Sequence, residues 1–175
     1  MPVNLKDKIQ DFEKFFQQIT KHLAKKSWFK KDGWIAQSHL FEMNGRPEAV
    51  SYHVFKKHWF NHERQGIHFE TFRDLRPGKD KEVIVTLHLF HTTKIPGTNQ
   101  KREAIAKPII DKIEKSLKSW KGYKFRAAKY GTQYFSKAFK SSDKDLPEII
   151  ALEFEKLFTA FGSDIDKVLK DVVPE

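Results

Sequence analysis

Four segments between residues 34 and 91 have the composition and spacing of β-strands and are divided by turn sequences, and this succession restricts the fold more than any other feature. Asn44-Gly45 favours a tight hairpin because both residues tolerate positive φ. Arg76-Pro77-Gly78-Lys79 forms a second turn sequence. The strands are expected over about residues 34–41, 48–55, 67–74 and 82–91. Strands joined in this way predict an antiparallel meander.

The last of these strands differs from the others in its hydrophobic pattern. Between Val83 and Leu89 every residue is apolar except Thr86 and His88. A nearly continuous apolar run of this length is typical of a strand that is covered on at least one face. We therefore predict that it lies in the interior of the sheet.

An amphipathic helix precedes the meander. Six apolar residues step by four and three alternately and so share one helical face: Leu5, Ile9, Phe12, Phe16, Ile19 and Leu23. Asn4 is positioned to cap this helix, and Asp7 favours the positive end of its dipole. The spacing predicts an N-terminal helix that buries one face.

A middle helix and two short strands are expected after the meander. The helix is marked by Ile105, Ile109, Ile113, Leu117 and Trp120, with lysines on its exposed face. Pro108 either begins its regular part or kinks it. Residues 123–130 and 133–139 resemble strands about Gly131, although the second segment is also compatible with a helix. The first strand would place Lys124, Arg126 and Tyr130 on one face.

The last apolar stripe predicts a C-terminal helix. Asp145 and Glu148 have the spacing of a capping box. Gly162 is expected to end this helix, with Ser163 and Asp166 capping one or two further turns. The summed order of helix, four strands, helix, two strands and helices predicts one α+β domain over residues 1–175, with a mainly antiparallel sheet and amphipathic helices packed on it.

The absence of cysteine excludes disulfides, thiolate metal ligands and a cysteine nucleophile. The sequence contains no Walker-type phosphate loop, no Gly-x-Gly-x-x-Gly fingerprint and no Gly-x-Ser-x-Gly. Met1–Asp7 carries no apolar signal region, and no segment is long and apolar enough to span a membrane. We expect an intracellular, cytoplasmic protein without a membrane partner.

Charge is concentrated in residues 101–140, which contain twelve Lys or Arg and three acidic residues, a net of +9 against +10 for the whole chain. A block of this kind attracts phosphate groups and other anions without reading sequence. We predict a binding module whose basic surface contacts an anionic partner, with nucleic acid or its associated machinery as the leading class. The expected contact residues are Lys112, Lys115, Lys118, Lys121, Lys124, Arg126 and Lys129.

Six of the eight histidines lie between residues 53 and 91, which favours a second class of function. By period-two alternation, His68 and Glu70 share one face of their strand, and His88 occupies one face of the neighbouring strand. If the register joins those faces, the three side chains can bind a divalent metal or transfer protons. This alternative is a metal-assisted or acid–base enzyme with His68, Glu70 and His88 as catalytic candidates. A solvated sheet face is the other interpretation.

His58 and His62 form another candidate metal pair, since residues four apart share a face if the segment is helical. The glutamate of a His-Glu-x-x-His motif is missing between them.

Metal-dependent nuclease chemistry is disfavoured because no cluster of carboxylates is apparent. Two further alternatives are a small-ligand cavity among the sixteen phenylalanines and a protein-interaction module that uses the opposite charges of residues 101–140 and 141–175.

Overall fold

The computed structural model describes residues 4–61, 64, 66–95 and 97–172. Its helices are α1 (Leu5–Ala24), α2 (Ser27–Lys31), α3 (Arg102–Leu117) and α4 (Leu146–Val172). Its strands are β1 (Trp34–Met43), β2 (Arg46–Lys56), β3 (His68–Asp74), β4 (Glu82–His88), β5 (Tyr123–Phe125) and β6 (Phe135–Lys140). The strands form one antiparallel sheet in the order β1-β2-β3-β4-β6-β5. The predicted α+β class is confirmed.

The predicted meander is present as β1 to β4. Asn44 and Gly45 join β1 to β2 with φ values of 53° and 71°, as the tight-turn sequence requires. The Arg76–Lys79 turn joins β3 to β4, with Gly78 at φ 72°. Strand β4 lies between β3 and β6 and is therefore internal, as its apolar run predicts.

All the long helices lie on one face of the sheet. In α4, Phe154 contacts Tyr52 of β2 and Phe158 contacts Phe69 of β3. Helix α1 packs against both β2 and α4, and Phe16 stacks on Tyr52 with ring centroids 5.2 Å apart. Helix α3 packs against α4. Because successive strand residues point to opposite faces, the side chains between these core residues lie on the face away from the helices.

Helix α1 begins as predicted. The Asn4 side chain accepts a hydrogen bond from the backbone N–H of Lys6 at 3.2 Å. Phe12, Phe16, Ile19 and Leu23 are buried. The periodicity of apolar residues therefore identified both the helix and its buried face, whereas the five-residue helix α2 is too short to be recognised by that pattern.

Helix α4 differs from the prediction at Gly162 because it continues without a break for 27 residues. Gly162 lies against the indole of Trp34, and a Cβ at this position would be 2.9 Å from Cζ2 of that ring. The glycine is therefore a packing residue and not a helix terminator. Asp166 accordingly caps nothing, and its carboxylate accepts bonds from Lys56, His58 and Trp59.

The predicted capping box at the start of α4 is also wrong. Asp145 has a φ of 59°, and it is its backbone carbonyl that accepts bonds from the N–H groups of Glu148 and Ile149. A capping residue normally has an extended backbone, from which its side chain can reach the first turn. The left-handed backbone of Asp145 replaces that geometry.

Two predicted strands are shorter than expected. Residues 126–134 form an irregular segment between β5 and β6, so Tyr130 shares no strand face with Lys124 and Arg126. The Arg102 side chain donates to the Tyr130 carbonyl and holds this segment against α3. Strand β4 ends at His88 because Phe90 has a φ of 31°, which interrupts the extended chain.

Within the described ranges, no helix is both long and apolar enough to cross a membrane.

Candidate metal centre

Five histidine rings form a continuous row across the sheet face that lies away from the helices. We call His39, His53, His68, His88 and His91 the histidine row. The first four belong to β1, β2, β3 and β4, and His91 follows β4. Successive ring centroids are 4.2, 3.6, 4.5 and 4.3 Å apart. Antiparallel pairing of β1 to β4 therefore converts histidines scattered over 53 positions of sequence, from 39 to 91, into neighbours.

The segment between β2 and β3 fixes the tautomers of two rings in the row. Nδ1 of His68 lies 2.8 Å from Oδ1 of Asn61, an oxygen that also accepts the Gly66 N–H at 3.2 Å. Nδ1 of His88 lies 3.1 Å from the carbonyl oxygen of Gly66. Both partner atoms are acceptors, so each Nδ1 carries the proton. His68 and His88 consequently present an unprotonated Nε2, and that of His88 lies 2.9 Å from Nε2 of His91.

Gly66 makes this arrangement possible because its backbone passes very close to that of Phe60. A Cβ at position 66 would lie 2.0 Å from the Phe60 carbonyl oxygen. Only glycine allows so close an approach. The glycine that lies against Phe60 therefore also binds Asn61 through its N–H and His88 through its carbonyl oxygen.

Glu70 is the buried carboxylate of this face. Its Oε1 lies 3.5 Å from Nε2 of His53, and its Oε2 accepts a hydrogen bond from Nε2 of Gln133 at 2.9 Å. Nδ1 of His53 is buried and has no hydrogen-bond partner among the described residues. One ligand atom from each of His53, His68 and Glu70 can be chosen so that all three lie within 4.8 Å of one another.

Burial controls the ionisation of these groups. It lowers the pKa of His68 well below its ordinary value, with further lowering by the neighbouring His53 and His88. Burial lowers the pKa of His88 to about 4, against the opposing effect of Glu70. Burial alone would raise the pKa of Glu70, but the contact with His53 and the charges of His53 and His88 hold it below its ordinary value. Near neutral pH, His68 and His88 are therefore neutral and Glu70 is ionised.

A cleft with a volume of about 480 Å³ opens beside the histidine row. We call it the histidine cleft, and His39, His53, His68, Glu70, His88, His91 and Gln133 line it. Phe41 and Met43 add apolar surface and are each 50% exposed. Arg64 and Arg76 provide positive charge, and Arg76 is paired with Glu48 and Asp74. The cleft is large enough for a small ligand.

The structure brings together the three catalytic candidates taken from the sequence. His68 faces His88 directly across β3 and β4, and Glu70 lies two residues further along β3. Sequence reasoning did not assign His39, His53, His91 and Gln133 to this site. His53 pairs directly with Glu70 across β2 and β3, a register that the hairpin pattern alone does not determine.

Only one member of the other predicted metal pair lies within the described residues. His58 lies in a turn after β2, and its Nε2 is 2.7 Å from Oδ1 of Asp166. His62 lies outside the described residues. The pair therefore stays a prediction, with His58 already bound to a carboxylate of α4.

The seven predicted basic contact residues are divided between paired and unpaired positions. Lys112 pairs with Asp164, Lys118 with Glu114, and Lys129 with Asp111 and Glu114. The remaining four, Lys115, Lys121, Lys124 and Arg126, are exposed and form no ion pair within the described part of the chain. Part of the predicted basic surface is thus neutralised by carboxylates of α3 and α4.

Comparison with known proteins gives no further identification: no protein-family model, no curated protein and no solved structure matches this chain.

Proposed function

We propose that the protein binds a divalent transition-metal ion such as Zn²⁺ through His53, His68 and Glu70, and that the ion activates water for hydrolysis in the histidine cleft. The observation that carries this proposal is the proximity of these three buried donors, whose ligand atoms lie within 4.8 Å of one another. Imidazole and carboxylate donors suit zinc and its neighbours in the first transition series. Two histidines and one glutamate also leave one tetrahedral position for water, which is the arrangement of catalytic zinc sites.

The hydrogen bonds around the donors support this assignment. Histidines that bind metals usually donate their other ring N–H to a carbonyl or carboxylate, which fixes the tautomer. His68 has this pattern, since Asn61 holds its Nδ1 and Nε2 is left for the ion. For His53, an ion would supply the partner that its buried Nδ1 does not have among the described residues.

We expect one of the two histidine rings to turn when an ion binds. The rings of His53 and His68 are nearly parallel, with an interplanar angle of 16°, so their in-plane lone pairs do not meet at one point. The terminal side-chain torsion of histidine has a broad energy minimum, so the ring can rotate at little cost in free energy. His53 is the ring that turns, because Asn61 restrains His68 whereas Nδ1 of His53 has no bond to break.

Zinc titration by calorimetry tests the binding. The parent protein should bind Zn²⁺, and His53→Ala and Glu70→Gln should each weaken binding at least about 100-fold, since loss of even an outer-shell partner costs 10- to 100-fold. His22→Ala is the matched control, because His22 lies in the last turn of α1, outside the cleft. Equal affinity of all four proteins would overturn the proposed ligands.

Hydrolysis is tested separately with a chromogenic carboxylic ester and a chromogenic phosphate diester. A zinc-bound water with a pKa near 7 should give turnover that disappears with a chelator and returns with Zn²⁺. Zinc binding without chelator-sensitive turnover of either compound would contradict the catalytic half of the proposal and leave a metal-binding protein.

We also propose that the unpaired basic residues contact an anionic partner such as nucleic acid. The support is the exposure of Lys115, Lys121, Lys124 and Arg126 around the end of α3 and strand β5. Lysines give charge attraction with little base discrimination, so binding should be sensitive to salt and poorly sequence-specific.

A further inference from the structure

Two other histidines in the row have the geometry of a second ion site. Nε2 of His88 and Nε2 of His91 lie only 2.9 Å apart. The Gly66 carbonyl holds the proton of His88 on Nδ1, so Nε2 of His88 is a lone-pair donor. The distance fits a hydrogen bond in which Nε2 of His91 donates its proton to the lone pair of His88 Nε2, and a divalent ion that displaced this proton would have one lone pair from each ring.

The ring orientation here differs from that of the stacked pair. The planes of His88 and His91 are inclined by 50°. Inclined planes intersect, so one ion can lie close to the plane of each ring, as imidazole coordination requires. His88 is buried and held by Gly66, whereas His91 is exposed and free to adjust. The pair therefore combines one fixed donor with one adaptable donor.

The second pair adjoins the first set of ligands. The His68 and His88 rings stack with centroids 4.5 Å apart, and Glu70 lies close enough to influence the pKa of His88. We infer that the histidine cleft holds two divalent transition-metal ions, the first on His53, His68 and Glu70 and the second on His88 and His91. This inference rests on the proposed function. Paired ions stabilise both the attacking and the leaving oxygen in hydrolysis, and the negative charge of Glu70 offsets their mutual repulsion.

The number of metal ions bound per chain tests the inference directly. The intact chain, dialysed to equilibrium against buffered Zn²⁺ and analysed for metal content, should hold two ions. His91→Ala should hold one ion, and Glu70→Gln should retain the ion on His88 and His91. His22→Ala should hold the same two ions as the parent protein.

The outcomes separate the two proposals. One ion in the parent protein overturns the second site and leaves the proposed function standing, whereas none overturns both. Two ions in His91→Ala overturn the assignment of His91. Since His91 is exposed, its replacement should not impair folding, and His91→Gln, which retains side-chain volume, gives the same test if the alanine variant melts early in the presence of a chelator.

Discussion

Asn61 Oδ1 accepts hydrogen bonds from the His68 ring and from the backbone of Gly66, at 2.8 and 3.2 Å respectively. One amide oxygen thus ties a ring of β3 to the segment that precedes this strand. The bond keeps the proton of His68 on Nδ1, so it decides which nitrogen faces the histidine cleft.

Replacing this amide should weaken the proposed centre without removing a ligand. Asn61→Leu should lower zinc affinity about 10- to 100-fold, the usual effect of losing the partner that orients a histidine ligand. Asn61→Asp should keep most of the affinity, because its carboxylate accepts the same bond. Calorimetric titration of the three proteins compares them, and equal affinity for Asn61→Leu and the parent would show that Asn61 does not position His68.

Gly162→Ala tests the contact between α4 and β1. Alanine raises helix propensity by about 1 kcal/mol, but its Cβ would lie 2.9 Å from the buried Trp34 ring. Overpacking of this kind costs about 1–3 kcal/mol, so we expect a net loss in the free energy of unfolding. Urea denaturation measures it, with the exposed neighbour Ser163→Ala as control. A gain in stability for Gly162→Ala would show that Trp34 moves aside freely.

Asp166→Asn tests the bonds between α4 and the end of β2. Burial alone would raise the pKa of Asp166, but hydrogen bonds from Lys56, Trp59 and His58 lower it below its ordinary value of 3.8. The ionised carboxylate should therefore contribute about 1–3 kcal/mol near pH 7, and Asp166→Asn should lose that amount.

The pH dependence of this loss follows from the direction of the shift. A carboxyl whose pKa is lower in the folded than in the unfolded state stabilises the fold when the pH is above its unfolded-state pKa. This contribution disappears as the pH falls through its folded-state pKa. The difference in unfolding free energy between Asp166→Asn and the parent should be larger at about pH 5 than at about pH 3, because it narrows as pH falls below about 4. Urea denaturation over this range measures it, and a difference that does not change with pH would contradict an ionic contribution.

Lys121→Glu combined with Lys124→Glu tests the basic surface. Binding of labelled single-stranded or duplex nucleic acid should decrease log-linearly with salt between about 50 and 200 mM, and the double variant should abolish it. Fluorescence anisotropy measures this binding. Lys30→Glu with Lys31→Glu in α2 gives the same change in net charge elsewhere on the molecule. An equal loss of nucleic-acid binding in both double variants would indicate a general effect of net charge, and not a binding surface formed by residues 115–126.

Local sequence patterns predicted which segments form helices and strands better than they predicted where those segments end. The apolar spacing from Leu5 to Leu23 and the Asn44-Gly45 turn both depend on neighbouring residues only, and both are confirmed. Gly162 misled the prediction because its role depends on Trp34, a residue 128 positions away that no local pattern connects to it. Because this contact is not visible in the local sequence, the pattern also failed to predict that α4 is one unbroken helix.

The site was only partly predictable for a related reason. His68, Glu70 and His88 belong to consecutive strands, so alternation alone suggested that they meet. Assigning His53 to the site requires the register of β2 against β3, and assigning His91 requires the positive φ of Phe90. These two features depend on tertiary packing, which explains why the histidine row could not be assembled in full from the sequence.

The position of α4 in the chain also has a consequence for folding during synthesis. Phe154 and Phe158 of this helix contact Tyr52 and Phe69, yet α4 follows every strand in the sequence. On a ribosome the sheet can therefore be complete while a large part of its apolar side still faces water. That interval favours association with chaperones or with other nascent chains. It ends only when α4 has emerged and docked.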